Sequence, residues 1–139
     1  GGSNSRLEVT GNVERTGGTL NWNNMRVYLD GSTEQLIDGD FTGTNAFDRL
    51  RINNSSMAGV TINSGDVEVD GTLTFVDGLF NTTSTETLTL NSSGSWTGAS
   101  ANSYVTGPIT KHDVAVSSTF EFCITSYILY VASNSENDK

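Results

Sequence analysis

The chain has 139 residues and a formal net charge of −9, and this length fits one domain with its own hydrophobic core. Its seven Lys and Arg residues are scattered along the sequence, which argues against nucleic acid as a partner because phosphate binding needs clustered basic side chains. The single cysteine, Cys123, excludes an intrachain disulfide, and the lack of an apolar run of about 18 residues predicts no membrane insertion.

Short apolar alternations follow residues 1–5, which we interpret as a tag remnant or a disordered start. In chain order they are Leu7/Val9, Met25/Val27/Leu29, Leu50/Ile52, Val60/Ile62, Val67/Val69, Leu73/Phe75 and Leu88/Leu90. Their period of two predicts short β-strands with one buried face. The segments between them carry Gly, Asn and Asp, as in Asp30-Gly31 and Asp70-Gly71, and these residues favour tight turns.

The predicted strands belong to an internal repeat. Residues 7–13 (LEVTGNV) match residues 67–73 (VEVDGTL) at an offset of 60, and steps of about 20 residues separate similar apolar positions. These positions are Val9, Leu29, Ile52, Val69 and Leu90. Steps of that size suit the coils of a β-solenoid. We therefore predict an all-β fold, a short parallel β-helix (β-solenoid) of about six rungs of ~20 residues over residues 6–122. An antiparallel β-sandwich is the alternative, although a sandwich does not need such a repeat.

Residues 123–139 depart from the repeat, and we predict that they form a cap strand or a disordered tail. The segment opens with one apolar, β-prone run, 123–131 (CITSYILYV). Because the open end of a solenoid exposes unpaired strand groups, we expect self-association through the solenoid ends. The side chains expected at this edge are Ile124, Ile128, Leu129 and Val131.

Four segments carry a resemblance to a known family: 17–22 (GGTLNW), 60–63 (VTIN), 67–74 (VEVDGTLT) and 102–111 (NSYVTGPITK). In these segments the chain resembles the adhesin-like β-helical repeat regions of large secreted bacterial surface proteins, over roughly residues 6 to 122. The resemblance implies an exported passenger or stalk region, with a sorting domain elsewhere in the parent chain. We therefore expect a secreted or cell-surface protein, and a non-catalytic structural or adhesive module whose partner is a surface protein or a glycan.

Carboxylates on the strands are the first candidates for catalysis, because some parallel β-helices act on polysaccharides. Glycoside hydrolysis needs two carboxyl groups about 5 to 9 Å apart. Glu8 and Glu68 fall on equivalent outward positions three rungs apart, which separates them by more than ~10 Å. The single histidine, His112, excludes sites that need several imidazoles. We therefore predict no catalytic residues and no enzyme activity; a fragment of a polysaccharide-acting β-helix enzyme is the alternative.

Two kinds of binding site compete with a purely structural interpretation. We expect no cofactor, and a structural calcium ion is the alternative because acidic turns supply hard oxygen ligands. Its candidate ligands are Asp38, Asp40, Asp66 and Asp70. A carbohydrate-binding module is the second alternative, since aromatic faces stack on sugar rings. Its candidate contacts are Trp22, Tyr28, Trp96 and Tyr104, with packing in the core or corners as the competing interpretation.

Overall fold

The computed structural model describes residues 5–22 and 24–112, and these residues form an all-β parallel solenoid. Eleven strands and one short 3₁₀ helix, Gly43–Asn45, occur in this part of the chain. The strands are β1 (Arg6–Val9), β2 (Val13–Glu14), β3 (Arg26–Leu29), β4 (Gln35–Asp38), β5 (Phe47–Asn53), β6 (Val60–Ser64), β7 (Val67–Asp77), β8 (Phe80–Asn81), β9 (Leu88–Leu90), β10 (Ser95–Thr97) and β11 (Ile109–Lys111). Every ladder between these strands is parallel, which confirms the predicted solenoid and excludes the antiparallel sandwich. None of the described residues belongs to a helix long and apolar enough to cross a membrane.

The strands stack into three columns, which we call face 1, face 2 and face 3. Face 1 contains β1, β3, the second half of β5, the second half of β7 and β10. Face 2 contains β2, β4, β6 and β8. Face 3 contains the first half of β7, followed by β9 and β11. A shift in register at Asp70-Gly71 divides β7 into its two halves, so one continuous strand contributes to two faces.

The turns of the solenoid have nearly constant length on face 1. The strand register aligns residues 6, 26, 49, 72 and 95 in one column. The described residues therefore form about five turns, where the sequence predicted about six over a longer stretch. Each turn after the first is three residues longer than the first, and this lowers the number of turns. Neighbouring turns are separated by the strand spacing of ~4.8 Å.

The offset between the matching segments 7–13 and 67–73 does not correspond to a whole number of turns. The partner of Ile52 on the next turn is Phe75, and Val69 lies on face 3. The predicted equivalence of Glu8 and Glu68 is wrong for the same reason, because Glu8 lies on face 1 and Glu68 on face 3. Every face needs the same apolar alternation, and every corner needs similar turn residues. Strands from different faces therefore resemble one another in sequence.

The interior consists of the inward-facing columns of the three faces. Alternate strand residues are buried, as Val27 and Leu50 are on face 1. The rings of Trp22, Phe47 and Phe41 add an aromatic stack with centroids 5.1 and 4.9 Å apart. Full burial of one such side chain contributes about 1.5–3 kcal/mol to folding. The inward alternation leaves the intervening residues on the outer surface, where they are available for binding.

The corner between faces 1 and 2 is polar although it is buried. We call Gln35 and Asn54, which are 1% and 0% exposed, the amide corner. The Gln35 Nε2 donates to the carbonyl oxygens of Val9 (2.9 Å) and Gly11 (2.7 Å), and its Oε1 accepts from the Gly31 N–H at 2.8 Å. The Asn54 Nδ2 donates to the same Gln35 oxygen at 3.0 Å. Because buried polar atoms without partners are costly, these two amides hold three successive turns in register.

Candidate functional site

The outer surface of face 1 carries four of the seven Lys and Arg residues of the chain. Arg6, Arg26 and Arg49 occupy one column on three successive turns. Arg51 lies two residues beyond Arg49 on the same outward side, and its backbone partner on the preceding turn is Tyr28. With turns ~4.8 Å apart, the backbone positions of the three arginines in the column follow the solenoid axis at regular intervals. We call Arg6, Arg26, Arg49 and Arg51 the arginine ladder.

Tyr28 lies between two members of the arginine ladder. The guanidinium carbon of Arg51 is 4.7 Å from the centroid of the Tyr28 ring, and that of Arg6 is 5.9 Å from it. Both distances fall within the range in which an aromatic face attracts a cation. A guanidinium that stacks on a ring keeps N–H groups on its edge for hydrogen bonds. The ring therefore orients two arginines and leaves them able to bind an anion.

A groove of about 450 Å³ opens over the ladder. Its lining residues are Arg26, Tyr28, Arg49, Leu50, Arg51, Thr72 and Thr74. Thr72 and Thr74 continue the columns of Arg49 and Arg51 on the next turn. A guanidinium only donates hydrogen bonds, whereas a threonine hydroxyl donates and accepts them. Along the solenoid axis, the groove thus passes from charged planar donors to neutral hydroxyls.

Few carboxylates balance the arginine ladder. The Glu8 carboxylate lies 2.9 Å from the Arg6 guanidinium, with both side chains at least half exposed, and Asp48 Oδ2 lies 3.7 Å from Arg49 Nε. Within residues 5–22 and 24–112, no carboxylate forms a salt bridge with either of the other two ladder arginines. The Arg6–Glu8 pair is exposed, and such pairs contribute little and exchange readily with other partners. The Arg49–Asp48 pair is partly buried, so four guanidinium groups face two carboxylates on this surface. Face 1 is therefore locally positive on a chain whose net charge is −9.

Four of the seven basic residues that are scattered in the sequence are gathered in space on face 1, so the premise that they do not cluster is wrong. Arg26 and Arg49 are backbone partners on neighbouring turns, so their separation in the sequence is one turn of the solenoid. Leu29 and Ile52 in the buried column of the same strands show the same separation. The signal was therefore present in the sequence. It becomes visible when polar positions are aligned with the same step as the apolar ones.

The four aromatic residues predicted to contact a sugar do not form one platform. The Trp22 ring packs against the core, and its Nε1 donates to the Asn45 carbonyl oxygen at 3.0 Å. Trp96 lies in the inward column of face 1 and also packs against the core. Tyr28 lines the arginine groove, and Tyr104 lines a separate groove. Of these four described aromatic residues, Tyr28 alone shares a surface with the ladder.

The four acidic residues predicted as calcium ligands serve the turn-to-turn contacts of the solenoid. Side-chain amides and hydroxyls of the following turn donate hydrogen bonds to the carboxylates of Asp38, Asp66 and Asp70. Asp40 accepts a hydrogen bond from Arg15 at 2.9 Å through its backbone carbonyl oxygen. In the part of the chain that the structure describes, no three His, Cys, Asp or Glu side chains are grouped as ligands for a metal ion. The geometry thus gives the calcium alternative no support.

The predicted self-association edge lies outside the described residues. It consists of Ile124, Ile128, Leu129 and Val131.

The described surface favours anion binding over acid–base chemistry, because the groove lining holds three guanidinium groups and neither a carboxylate nor an imidazole. Comparison of the chain with models of protein families, with curated proteins and with solved structures yields no match.

Proposed function

We propose that this chain is a non-catalytic structural and adhesive module of a secreted or cell-surface protein, and that it contacts its partner through face 1. The arginine ladder is the observation that supports this proposal. Three arginines in one column and a fourth beside them form a concentrated positive surface on an acidic chain. The resemblance to adhesin-like repeat regions of bacterial surface proteins agrees with this role.

The solenoid suits an adhesive role because it holds side chains at fixed intervals. Each ladder arginine extends from a strand that is hydrogen-bonded to the strands before or after it. Sites on strands are positioned more accurately than sites on loops. A surface that is already ordered loses less conformational entropy on binding, so more of the contact energy contributes to affinity. Face 1 therefore binds its partner by complementarity and requires no chemical change in it.

A carbohydrate-binding module is the second candidate, and the composition of the groove favours it. Tyr28 supplies an aromatic ring beside the guanidinium groups, and Thr72 and Thr74 supply hydroxyls that match those of a sugar. Ligand sites of this kind combine apolar surface with a few placed polar groups. A polysaccharide-cleaving enzyme would need carboxyl groups facing each other across the groove, and the lining contains none.

An adhesion experiment tests the proposed function. Beads coated with the full chain are passed over surfaces that carry extracellular-matrix proteins, neutral glycans or acidic glycans, and the retained fraction is counted. The same glycans are incubated with the chain in solution and assayed for new reducing ends. We expect retention on at least one class of surface and no release of product. Product release, or retention on no surface, would contradict the proposal.

A pair of charge-matched variants tests the role of face 1. Arg26→Gln/Arg51→Gln removes two positive charges from the ladder. Met57→Glu/Thr110→Glu lowers the net charge by the same amount at exposed positions away from face 1, and Met57 is 96% exposed. We expect the arginine variant to lose retention and the glutamate variant to keep most of it. An equal loss in both variants would indicate a general charge effect and would refute the assignment to face 1.

A further inference from the structure

We propose that face 1 binds a linear acidic polysaccharide, such as a chain of uronic acid residues, that lies along the solenoid axis. Carboxylates on the side of the polymer that faces the protein pair with guanidinium groups of the arginine ladder. This inference rests on the proposed function and names the class of ligand that the same surface takes. The charge and spacing of the ladder, together with the hydroxyls that continue its columns, lead to it.

The spacing of the ladder matches a polymer that carries one anionic group per residue. The turns of the solenoid are ~4.8 Å apart, and Arg6, Arg26 and Arg49 are in register on three of them. A pyranose residue in an extended chain advances the polymer by a distance close to one such turn. Because consecutive residues of an extended two-fold chain face opposite ways, carboxylates on one side recur every second residue. That distance is close to the two turns that separate the strand positions of Arg6 and Arg49.

The donors of the groove also fit such a polymer. A guanidinium presents a planar fork of N–H groups that matches the two oxygens of a carboxylate. Arg51 and Arg6 are held against the Tyr28 ring, so their side chains lose less conformational entropy on binding. Thr72 and Thr74 lie one turn beyond the last arginines and face the same groove. Their hydroxyls are suited to the ring hydroxyls of the polysaccharide rather than to a further charge.

Other polyanions fit the ladder less well. In an extended acidic peptide, side chains on one side recur about every 7 Å, which matches neither one turn of ~4.8 Å nor two turns of the solenoid. Duplex DNA carries one negative charge per ~1.7 Å of its axis, far more than the ladder neutralises. The excess charge would meet the remaining surface of a chain whose net charge is −9. A uronic acid polymer, with one charge per residue, avoids both conflicts.

Calorimetric titration with a uronic acid hexamer tests the proposal, and the fully methyl-esterified hexamer is the matched ligand. Esterification removes the charges and keeps the sugar backbone and its hydroxyls. We expect the free acid to bind at least about tenfold more tightly than the ester, because charge-assisted hydrogen bonds are lost in the ester. Raising NaCl from about 0.05 M to about 0.5 M is expected to weaken binding of the acid and to leave the ester unaffected.

Three variants locate the binding site. Arg26→Gln/Arg51→Gln is expected to weaken binding of the hexamer at least about tenfold, and Met57→Glu/Thr110→Glu less than about threefold. Arg49→Lys keeps the charge but loses the planar fork, so we expect an intermediate loss. All substituted positions are at the surface of the fold or partly exposed. Circular dichroism and thermal unfolding show whether each variant keeps the wild-type fold before its affinity is compared.

Several results would overturn the proposal. They are equal affinity for the ester and the acid, tighter binding of hexaglutamate or of a thymidine oligonucleotide, and no binding of the acid at all. Competition by inorganic phosphate or sulfate at the concentration of the hexamer would reveal a single-anion site and would also refute it. If beads are retained on a protein or a neutral glycan through face 1 while the hexamer does not bind, this inference fails and the proposed function stands.

Discussion

Replacing Asn54 by alanine removes a side chain that ties neighbouring turns of the solenoid together. Its Nδ2 donates to the Thr33 carbonyl oxygen at 2.8 Å and to Gln35 Oε1 at 3.0 Å. Its Oδ1 accepts from the Ser56 N–H at 2.8 Å, which closes the turn that follows β5. Asn54 is fully buried, so water does not reach this side chain in the folded protein. The substitution therefore leaves polar groups of the amide corner without their partner.

The expected loss follows from these three hydrogen bonds. Each contributes about 1 kcal/mol net, so the free energy of unfolding of Asn54→Ala is expected to fall by about 3 kcal/mol. The neighbouring Asn53 is the matched control, because its side chain points outward and makes one hydrogen bond, from Nδ2 to Asp30 Oδ1 at 2.9 Å. For Asn53→Ala we expect a loss of about 1 kcal/mol or less. The two alanine variants differ in burial and in the number of bonds, and hardly in composition.

Urea unfolding followed by far-UV circular dichroism measures both variants. The midpoint of Asn54→Ala should shift to lower urea with an unchanged m-value, because the surface exposed on unfolding is nearly the same. Asn54→Asp should lose at least as much, since it keeps the shape but places a carboxylate oxygen against two acceptors. A loss below about 1 kcal/mol for Asn54→Ala, or equal losses at positions 53 and 54, would show that the amide corner does not hold the turns together.

Two further predictions concern a corner and a loop of the same solenoid. Gly78 has φ +85°, and a Cβ at this position would lie 2.1 Å from a backbone oxygen. Gly78→Ala should therefore lower the free energy of unfolding by about 3 kcal/mol. A Cβ at Gly11 would have no atom within 4 Å, so Gly11→Ala should change the free energy of unfolding by less than about 1 kcal/mol in the same urea assay. In the loop after β8, hydroxyl hydrogen bonds from Thr83 and then Thr85 lower the pKa of Glu86 below its ordinary value of 4.5. The ionised Glu86 carboxylate therefore stabilises the folded state above the ordinary pKa, and this stabilisation is lost as pH falls through the lowered pKa. An NMR titration should show a higher Glu86 pKa in Thr83→Val than in the wild type, and an unchanged pKa would refute the assignment.

The solenoid could be predicted because the second halves of its long strands β5 and β7 alternate between buried and outward residues. The pairs Leu50/Ile52 and Leu73/Phe75 fall on β5 and β7 in the register that the apolar pattern indicates. The strand β4 escaped prediction, because its first inward residue is Gln35. A buried glutamine looks like a surface residue in sequence, and only its hydrogen bonds to neighbouring turns explain its place in the interior. The shortest strands, β2 and β8, contain two residues each and cannot show an alternation.

The candidate site was harder to predict than the fold, because it depends on the exact length of each turn. The mean step between similar apolar positions is enough to indicate a solenoid, but it does not align individual side chains. On face 1 the step from Arg26 to Arg49 is three residues longer than the step from Arg6 to Arg26, so a constant step moves Arg49 out of the column. An error of one residue would also reverse the side of the strand on which a residue lies. The steps of 20 and 23 residues from Val9 to Leu29 to Ile52 do carry the register of face 1, but averaging them with steps to positions on another face, such as Val69, hides it.

The ladder also shows why net charge is a poor guide to what a repeat protein binds. At physiological ionic strength the screening length is ~8 Å, which is less than two turns of the solenoid. A ligand in the groove therefore interacts mainly with the ladder and with Glu8 and Asp48 at its edge, and weakly with the other carboxylates of the chain. At low salt the same distant carboxylates repel an approaching polyanion. Added salt weakens the contacts between the polyanion and the ladder, and at the same time it relieves the repulsion by the distant carboxylates. With increasing salt, the affinity for an acidic polymer should then fall less steeply than the affinity of a site made of four arginines alone. A polyanion whose charge extends far beyond the ladder is disfavoured, because the distant carboxylates repel it.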